Sequence, residues 1–344
     1  NSPNPVLPCV VLEADPDRGL VLEATDLDVG IRLRLPDATV EQRGVLVVPA
    51  IRLLGVIREV EDEEVTLVGD GGSLKVDSGR SHFRIRGEDP EARAVLPVFP
   101  EGRSVTIAGG VLRTMIRRTV FATAKEAGRY ALHGVLFRIA DGQLELVATD
   151  GRRLARVVRV LEQAPGMDLR VIVGPKGLSL LDRVSAGADG AVEVALEERQ
   201  VLFQVGDALV VSRLIDGTFP SYEDVIPKSP KQRITLPVAA FQAALRRASV
   251  LTTRDSISVQ FDIGPDLLSI RSRAPEIGEA KVEMSIAYDG EAQSLGFNPG
   301  FLTDALKIMD PDATVSLEFT DGKAPGKLTD EENYVYVVMP IALE

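Results

Sequence analysis

The feature that most constrains this chain is that it repeats itself. The segment GLVLEATDLDVGIRL, beginning at Gly19, returns as QLELVATDGRRLARV at Gln143 and as LLSIRSRAPEIGEAKV at Leu267, 124 positions apart each time. The apolar pair Leu20/Leu22 becomes Leu144/Leu146 and then Leu268/Ile270. Apolar residues two apart mark a strand with one buried face. A second marker has nearly the same period: VVPAIRLLGVIREV from Val47, VGPKGLSLLDRV from Val173 and FNPGFLTDALKIM from Phe297. Each sets a proline (Pro49, Pro175 or Pro299) ahead of apolar residues at helical spacing, which suits a helix start. Self-similarity at this period means tandem modules.

A third marker occurs twice, as SVTIAGGVLRTMIRRTVF from Ser104 and RITLPVAAFQAALRRASV from Arg233. Leu112, Ile116 and Thr119, like Phe241, Leu245 and Ala248, fall at i, i+4, i+7, the spacing of an amphipathic helix. A first copy would fall about 20 residues ahead of Asn1, so a strand and most of a helix are expected to precede this sequence. Turn dipeptides (Asp141-Gly142, Asp189-Gly190, Asp216-Gly217, Asp321-Gly322) punctuate the strands. The reading is α+β: three modules, 1–102, 103–230 and 231–344, each of two similar halves with the order βαβββ. Short helices between several antiparallel strands do not suggest a doubly wound parallel sheet.

The residues needed for catalysis do not assemble. There is no G-x-x-x-x-G-K-[ST] phosphate loop, and Gly69-Asp70-Gly71-Gly72 reads as a hairpin turn. No G-x-S-x-G elbow is present. The single cysteine, Cys9, excludes a disulfide framework and fits a reducing cytoplasm, and the two histidines, His82 and His133, lack metal-ligand spacing. Asp26 and Asp28 look like a carboxylate pair, but the repeat puts Arg152 in place of Asp28, so they read as solvated strand-end acids. No cofactor or metal is expected, and no apolar run is long enough to span a membrane. The net charge of −12 argues against a uniformly basic coat for nucleic acid but leaves room for a local basic face.

Specific strings sharpen the scaffold reading. RYALHGVLFRIADGQLELVATDGRRLARV (129–157), LIDGTFPSYEDVIPKSP (214–230) and YVVMPIAL (336–343) resemble, collinearly with the rest of the chain, the β sliding clamp family of bacterial DNA polymerase III processivity subunits. The resemblance implies a non-catalytic protein: three clamp-type modules per subunit, closing head to tail with a second copy into a ring around duplex DNA. It implies helices lining the hole and docking surfaces for the polymerase III catalytic subunit, a clamp loader ATPase, other polymerases and repair proteins. The alternatives are an enzyme of unrecognised type on the same tandem scaffold and a repeat protein that binds only proteins.

If the chain is a clamp, sliding needs phosphate attraction without base readout, so basic residues should gather on the helices. Candidates are Arg113, Arg117 and Arg118 on one helix, and Arg246 and Arg247 on its counterpart. Arg58, Lys176, Arg183 and Lys307 fall on the other helix type, and Arg129 and Tyr130 on a loop. The family's peptide-docking cleft implies Leu132, Thr149, Gly151, Arg152, Arg153 and Leu154 from the second module, with Pro220 and Val225 from the following linker. From the third module it implies Asn298, Phe301, Val337, Val338, Met339 and Pro340. Asp224, Ala131 and Arg152 depart from residues commoner in the family at these places. The dimer joint is expected at Val250 and Leu251, just past the Arg246-Arg247 turn.

Overall fold

The computed structural model describes residues 6–102, 104–125, 130–161, 168–186, 190–330 and 333–343. One pattern recurs along it: a strand, a helix and three antiparallel strands. The chain opens on three strands, β1 (Cys9–Asp15), β2 (Gly19–Thr25) and β3 (Val29–Leu35). Next come β4 (Gly44–Pro49), α1 (Ala50–Arg58), β5 (Thr66–Asp70), β6 (Ser73–Ser78) and β7 (Ser81–Arg86). The next copy is β8 (Ser104–Ala108), α2 (Gly109–Thr119), β9 (Val135–Ala140), β10 (Gln143–Thr149) and β11 (Arg153–Val160). It is followed by β12 (Leu169–Val173), α3 (Pro175–Val184), β13 (Ala191–Glu197), β14 (Gln200–Val205) and β15 (Ala208–Arg213). Then come β16 (Gln232–Pro237), α4 (Val238–Ala248), β17 (Val259–Gly264), β18 (Leu267–Ala274) and β19 (Gly278–Ser285). The last copy is β20 (Gln293–Phe297), α5 (Pro299–Leu306), β21 (Thr314–Phe319), β22 (Gly326–Thr329) and β23 (Tyr334–Val338).

The sequence patterns account for these elements. Leu144, Leu146, Leu268 and Ile270 are buried, as alternation on β10 and β18 requires. Leu112, Ile116 and Thr119 of α2 and Phe241, Leu245 and Ala248 of α4 are all buried, so each helix lays one stripe on its sheet. Pro175 and Pro299 open α3 and α5, and Pro49 caps α1. Gly71-Gly72 is the turn between β5 and β6, not a phosphate loop.

The compact units do not follow the modules. One unit comprises Asn1–Leu112 and Lys176–Leu214, the other Arg113–Pro175 and Ile215–Glu344, so each takes half of the middle module. The reason is strand pairing. In the first unit an eight-stranded sheet runs β4-β1-β2-β3-β15-β14-β13-β8, with a seam from Val29↔Ser212 to Leu33↔Ala208. In the second unit the order is β12-β9-β10-β11-β23-β22-β21-β16, with a seam from Arg153↔Val338 to Val157↔Tyr334. Advancing the first order by one module gives the second. Each seam is a continuous hydrogen-bonded ladder, which joins half-modules more firmly than sequence adjacency does.

Each unit also has a smaller sheet, β5-β6-β7 in the first and β19-β18-β17-β20 in the second. The first unit's core includes Leu12, Val48, Leu74, Val76 and Ile85. In the second, Phe241, Phe261 and Phe297 meet edge to face at 5.9 and 5.5 Å. Each such buried ring is worth about 3–5 kcal/mol against alanine.

Candidate functional site

In the second unit the turn joining β10 to β11 is built by its own side chains. The Thr149 hydroxyl donates to the Arg153 carbonyl (2.6 Å) and accepts from the Gly151 N–H (3.1 Å). Asp150 Oδ1 accepts the N–H groups of Arg152 (2.9 Å) and Arg153 (3.0 Å). Gly151 sits at φ 85°, where a side chain would be strained. The Met339 N–H donates to the Arg152 carbonyl (2.9 Å), extending the seam past β23 and fixing Met339 beside the turn.

Arg153 is the pin beneath this turn. It is 6% exposed, donates to Asp150 (3.0 Å), Asp304 (2.7 Å) and the Phe121 carbonyl (3.0 Å), and lies 4.6 Å above the Phe301 ring. Burial works against its charge, but the hydrogen bond to Asp304 and its other partners prevail and raise its pKa further. Tyr336 donates to the Phe301 carbonyl (2.8 Å), and Asn298 caps α5 by accepting the Gly300 N–H (2.9 Å).

The linker at 215–226 is fastened to the same place. Phe219 and Tyr222 are buried with Leu154, Leu136, Val147, Ile172 and Val337, and Ala131 and Ile226 pack on that cluster. Tyr222 also hydrogen-bonds Glu145, whose carboxylate accepts from Arg138 (3.1 Å) and Arg156 (2.6 Å). With its aromatic residues held inward, the linker turns Pro220 and Val225 outward.

The residues expected in the cleft thus divide in two. Leu132, Leu154, Val337 and Val338 are buried, forming floor rather than surface, and Thr149 and Arg153 are buried as scaffold. Gly151, Arg152, Pro220, Val225 and Met339 are exposed, and Asn298, Phe301 and Pro340 half-buried. Val225 at 48% and Met339 at 42% supply the solvent-facing apolar atoms. Sequence reasoning did not single out Phe219, Tyr222, Ile226 or the Glu145 cluster. Phe219 and Tyr222 were legible in the string TFPSY, but which aromatic residues turn inward is set by the sheet beneath.

The helix cations also divide. Arg58, Arg117, Lys176, Arg183, Arg246, Arg247 and Lys307 are exposed, and Arg113 is half-buried. Arg118 corrects the expectation that it faces DNA: it is 7% exposed, pairs with Asp330 at 2.9 Å and lies 5.4 Å from the Tyr334 ring centre. Successive helix residues point about 100° apart, so a doublet need not share a face. Lys176 pairs with Asp26, whose carboxylate also accepts the N–H groups of Asp28 and Val29, so Asp26 builds a turn. Arg129 lies outside the described residues, and of Tyr130 only the backbone belongs to them.

Past α4, Val250 is 72% exposed and Leu251 half-buried near Gly278 at the start of β19. Among the described residues each smaller sheet ends in two strands paired on one side only, β19 and β20 in one and β5 and β7 in the other. β19 occupies the place of β3 and β11, and β7 that of β15 and β23. β19 carries Glu279 and Glu283, whereas exposed His82, Arg84 and Arg86 stand on β7 with Arg80 just before it. Among the described residues no group of three His, Cys, Asp or Glu side chains could hold a metal ion.

Comparison with known proteins gives one answer. Sequence profiles of the DNA polymerase III beta subunit match throughout: the N-terminal domain over residues 1–97, the central domain over 106–221 and the C-terminal domain over 223–342. The beta sliding clamp of Chlamydia muridarum is 31% identical over 344 residues, covering 100% of this chain and 93% of that protein. A DNA polymerase sliding clamp from Bacillus subtilis superposes with a TM-score of 0.93 at 26% identity, covering 100% of this chain and 93% of the other. A sliding clamp from Pseudomonas aeruginosa bound to griselimycin does so with a TM-score of 0.92 at 29% identity, again over 100% and 93%.

Proposed function

This chain belongs to the DNA polymerase III β subunit family, the β sliding clamps, and we propose which of its surfaces perform the clamp's work. It is a processivity subunit, tethering the replicative polymerase to DNA and catalysing nothing itself. Three surfaces divide that task.

The first closes the ring, and the observation that carries it is that β19 and β7, whose counterparts pair with each other in both seams, have no such partner among the described residues. If β19 of one copy meets β7 of a second as β11 meets β23, the register places Glu279 opposite Arg84 and Glu283 opposite Arg80. Opposite charges across a strand pair stabilise the pairing and select the partner edge. Leu251, beside the start of β19, belongs to that joint, and Val250 next to it is exposed enough to take part. Two copies joined head to tail in this way leave neither β19 nor β7 as an edge.

The second surface is the set of helix cations, exposed Arg58, Arg117, Lys176, Arg183, Arg246, Arg247 and Lys307 with half-buried Arg113, and the same role is assigned to Arg129 and Tyr130. Contacts to phosphates hold duplex DNA without reading bases, as sliding demands. On a chain with net charge −12 they concentrate attraction where it is useful and leave the remaining surface repulsive.

The third is the cleft around Val225, Met339, Pro340, Phe301 and Arg152, floored by Leu154 and Val337. Methionine and exposed aliphatic atoms form an adaptable apolar seat, and the ordered turn supplies polar groups that set register. The polymerase III catalytic subunit, the clamp loader ATPase, other polymerases and repair proteins dock there in turn through short peptides. Work on DNA among these partners implies a cytoplasmic protein.

The test is topological. Loaded onto a nicked circular plasmid, the clamp should stay bound through gel filtration and be lost once the plasmid is linearised. Equal retention on both forms would contradict encirclement.

A further inference from the structure

The first unit contains a second version of the cleft's scaffold with different chemistry. At the β2–β3 turn the Thr25 hydroxyl donates to the Val29 carbonyl (2.9 Å) and accepts the Leu27 N–H (3.0 Å). Asp26 Oδ1 accepts the N–H groups of Asp28 (3.1 Å) and Val29 (2.9 Å). The Arg213 N–H donates to the Asp28 carbonyl (2.8 Å), as that of Met339 does to Arg152. Each of these bonds has its counterpart in the turn beneath Met339.

Beside this turn lies a cavity of about 910 Å³. Its far wall is the linker after β7, held rigidly: Arg32 donates to the carbonyls of Leu96 (3.1 Å) and Pro97 (2.9 Å). Leu96 sits so close to β3 that a Cβ on Gly30 would come within 2.4 Å of it. Val95 of that linker, Leu196 of β13 and Leu27 of the turn line the cavity, and all three are exposed.

Leu27 is the decisive residue. It holds φ 77°, the left-handed region, with 57% of its surface exposed. Gly151 occupies the matching place in the second unit without strain. A strained residue persists only where its surroundings impose it, and such residues cluster at ligand clamps. An exposed leucine in that conformation gains nothing from burial in the free chain.

We propose that this cavity is a second peptide-docking site, taking a short extended segment whose leucine-type anchor is flanked by basic residues. The kind of occupant rests on the peptide-cleft reading of the second unit. The charge preference rests on the lining: Asp28 stands where the cleft has Arg152, and Glu197 and Glu198 join it against Arg199 and Arg213. Asp28 and Glu198 appear in no ion pair among the described residues. The cleft presents Arg152 instead and suits acidic flanks, so the two sites sort peptides by charge.

Two fluorescein-labelled nine-residue peptides, each with a central Leu-Leu pair, one flanked by lysines and one by glutamates, test this by polarisation on the full chain. The lysine-flanked peptide should weaken at least fivefold on Leu27→Gly and on Leu196→Asp, and keep its affinity for Met339→Ala. The glutamate-flanked peptide should show the reverse. Leu27→Gly relieves the turn, so its melting temperature should not fall, which separates lost docking from lost folding. If both peptides respond only to Met339→Ala, the second site is overturned and the cleft stands. If neither responds to Met339→Ala while Leu27→Gly weakens the lysine-flanked one, the cleft reading fails and the cavity stands. Absence of any Leu27 or Leu196 effect overturns the proposal.

Discussion

A buried charge survives only where its partners are already in place, and Glu145 shows what that implies for pH. Burial pushes its carboxyl up, but hydrogen bonds from Arg156, Tyr222 and Arg138, with the Arg156 charge, outweigh it and hold the group below the ordinary glutamate value. A carboxyl held low in the folded state stabilises the fold above its unfolded pKa and loses that contribution as pH falls through the lowered value. Wild type should therefore shed stability on acidification below about pH 5. Glu145→Gln should be less stable at neutral pH by about 1 kcal/mol, because Arg138 and Arg156 lose their acid but keep access to solvent, and flatter on acidification. Urea midpoints at pH 7 and pH 4 check this; a gap of equal size at both would mean that ionisation of Glu145 contributes nothing. Arg118→Ala should destabilise by about 3 kcal/mol, since Asp330 would be left with little solvent. Arg153 belongs to the same class: it is buried and fastens Asp150, Asp304 and the Phe121 carbonyl beneath the proposed cleft.

At the level of elements, the register carried from one seam to β19 and β7 makes a charge-swap prediction. Arg84→Glu should weaken the dimer, Glu279→Arg should do the same, and the two together should restore much of it. Light scattering across a concentration series reads the cycle; strictly additive losses would mean the two residues do not face each other. Leu251→Lys should give a folded monomer, and a variant still dimeric at micromolar concentration would remove Leu251 from the joint. Sequence periodicity revealed the strands and helices here, because burial of one face leaves a local trace: Leu144/Leu146 and Phe241/Leu245/Ala248 fell where alternation and helical spacing put them. The seams left no such trace. Val29 meets Ser212 and Arg153 meets Val338 across long stretches of chain, and nothing within either strand announces its partner. For the same reason the middle module reads as one piece in sequence yet divides between two compact units. The proposed cleft was suggested only by resemblance to a family. Its outward members, Val225 and Met339, are apolar and exposed, as a docking seat requires, but the inward turn of Val337 and Arg118 depends on packing that no short string encodes.

For the whole molecule, affinity and retention are separate quantities. A chain with net charge −12 repels DNA at long range, so its hold must come from a few cations and from closure. Phosphate contacts release counterions, and log affinity falls with log salt by about 0.9 per contact. Closure has no such dependence, because a ring on a circle must break a joint to leave. Arg117→Glu with Arg246→Glu, four substitutions in a dimer, should lower the salt slope of DNA binding by about four and reduce loading. It should alter no preference among sequences, since phosphates carry none. Arg118→Ala is the control: its side chain is buried against Asp330, so the slope should stay at the wild-type value. Once loaded on a closed circle, the double variant should resist release by salt as well as wild type does, and both should slip from linear DNA. Loss of the variant from closed circles at moderate salt would mean that these arginines hold the ring shut; an unchanged slope would mean that they point away from the DNA.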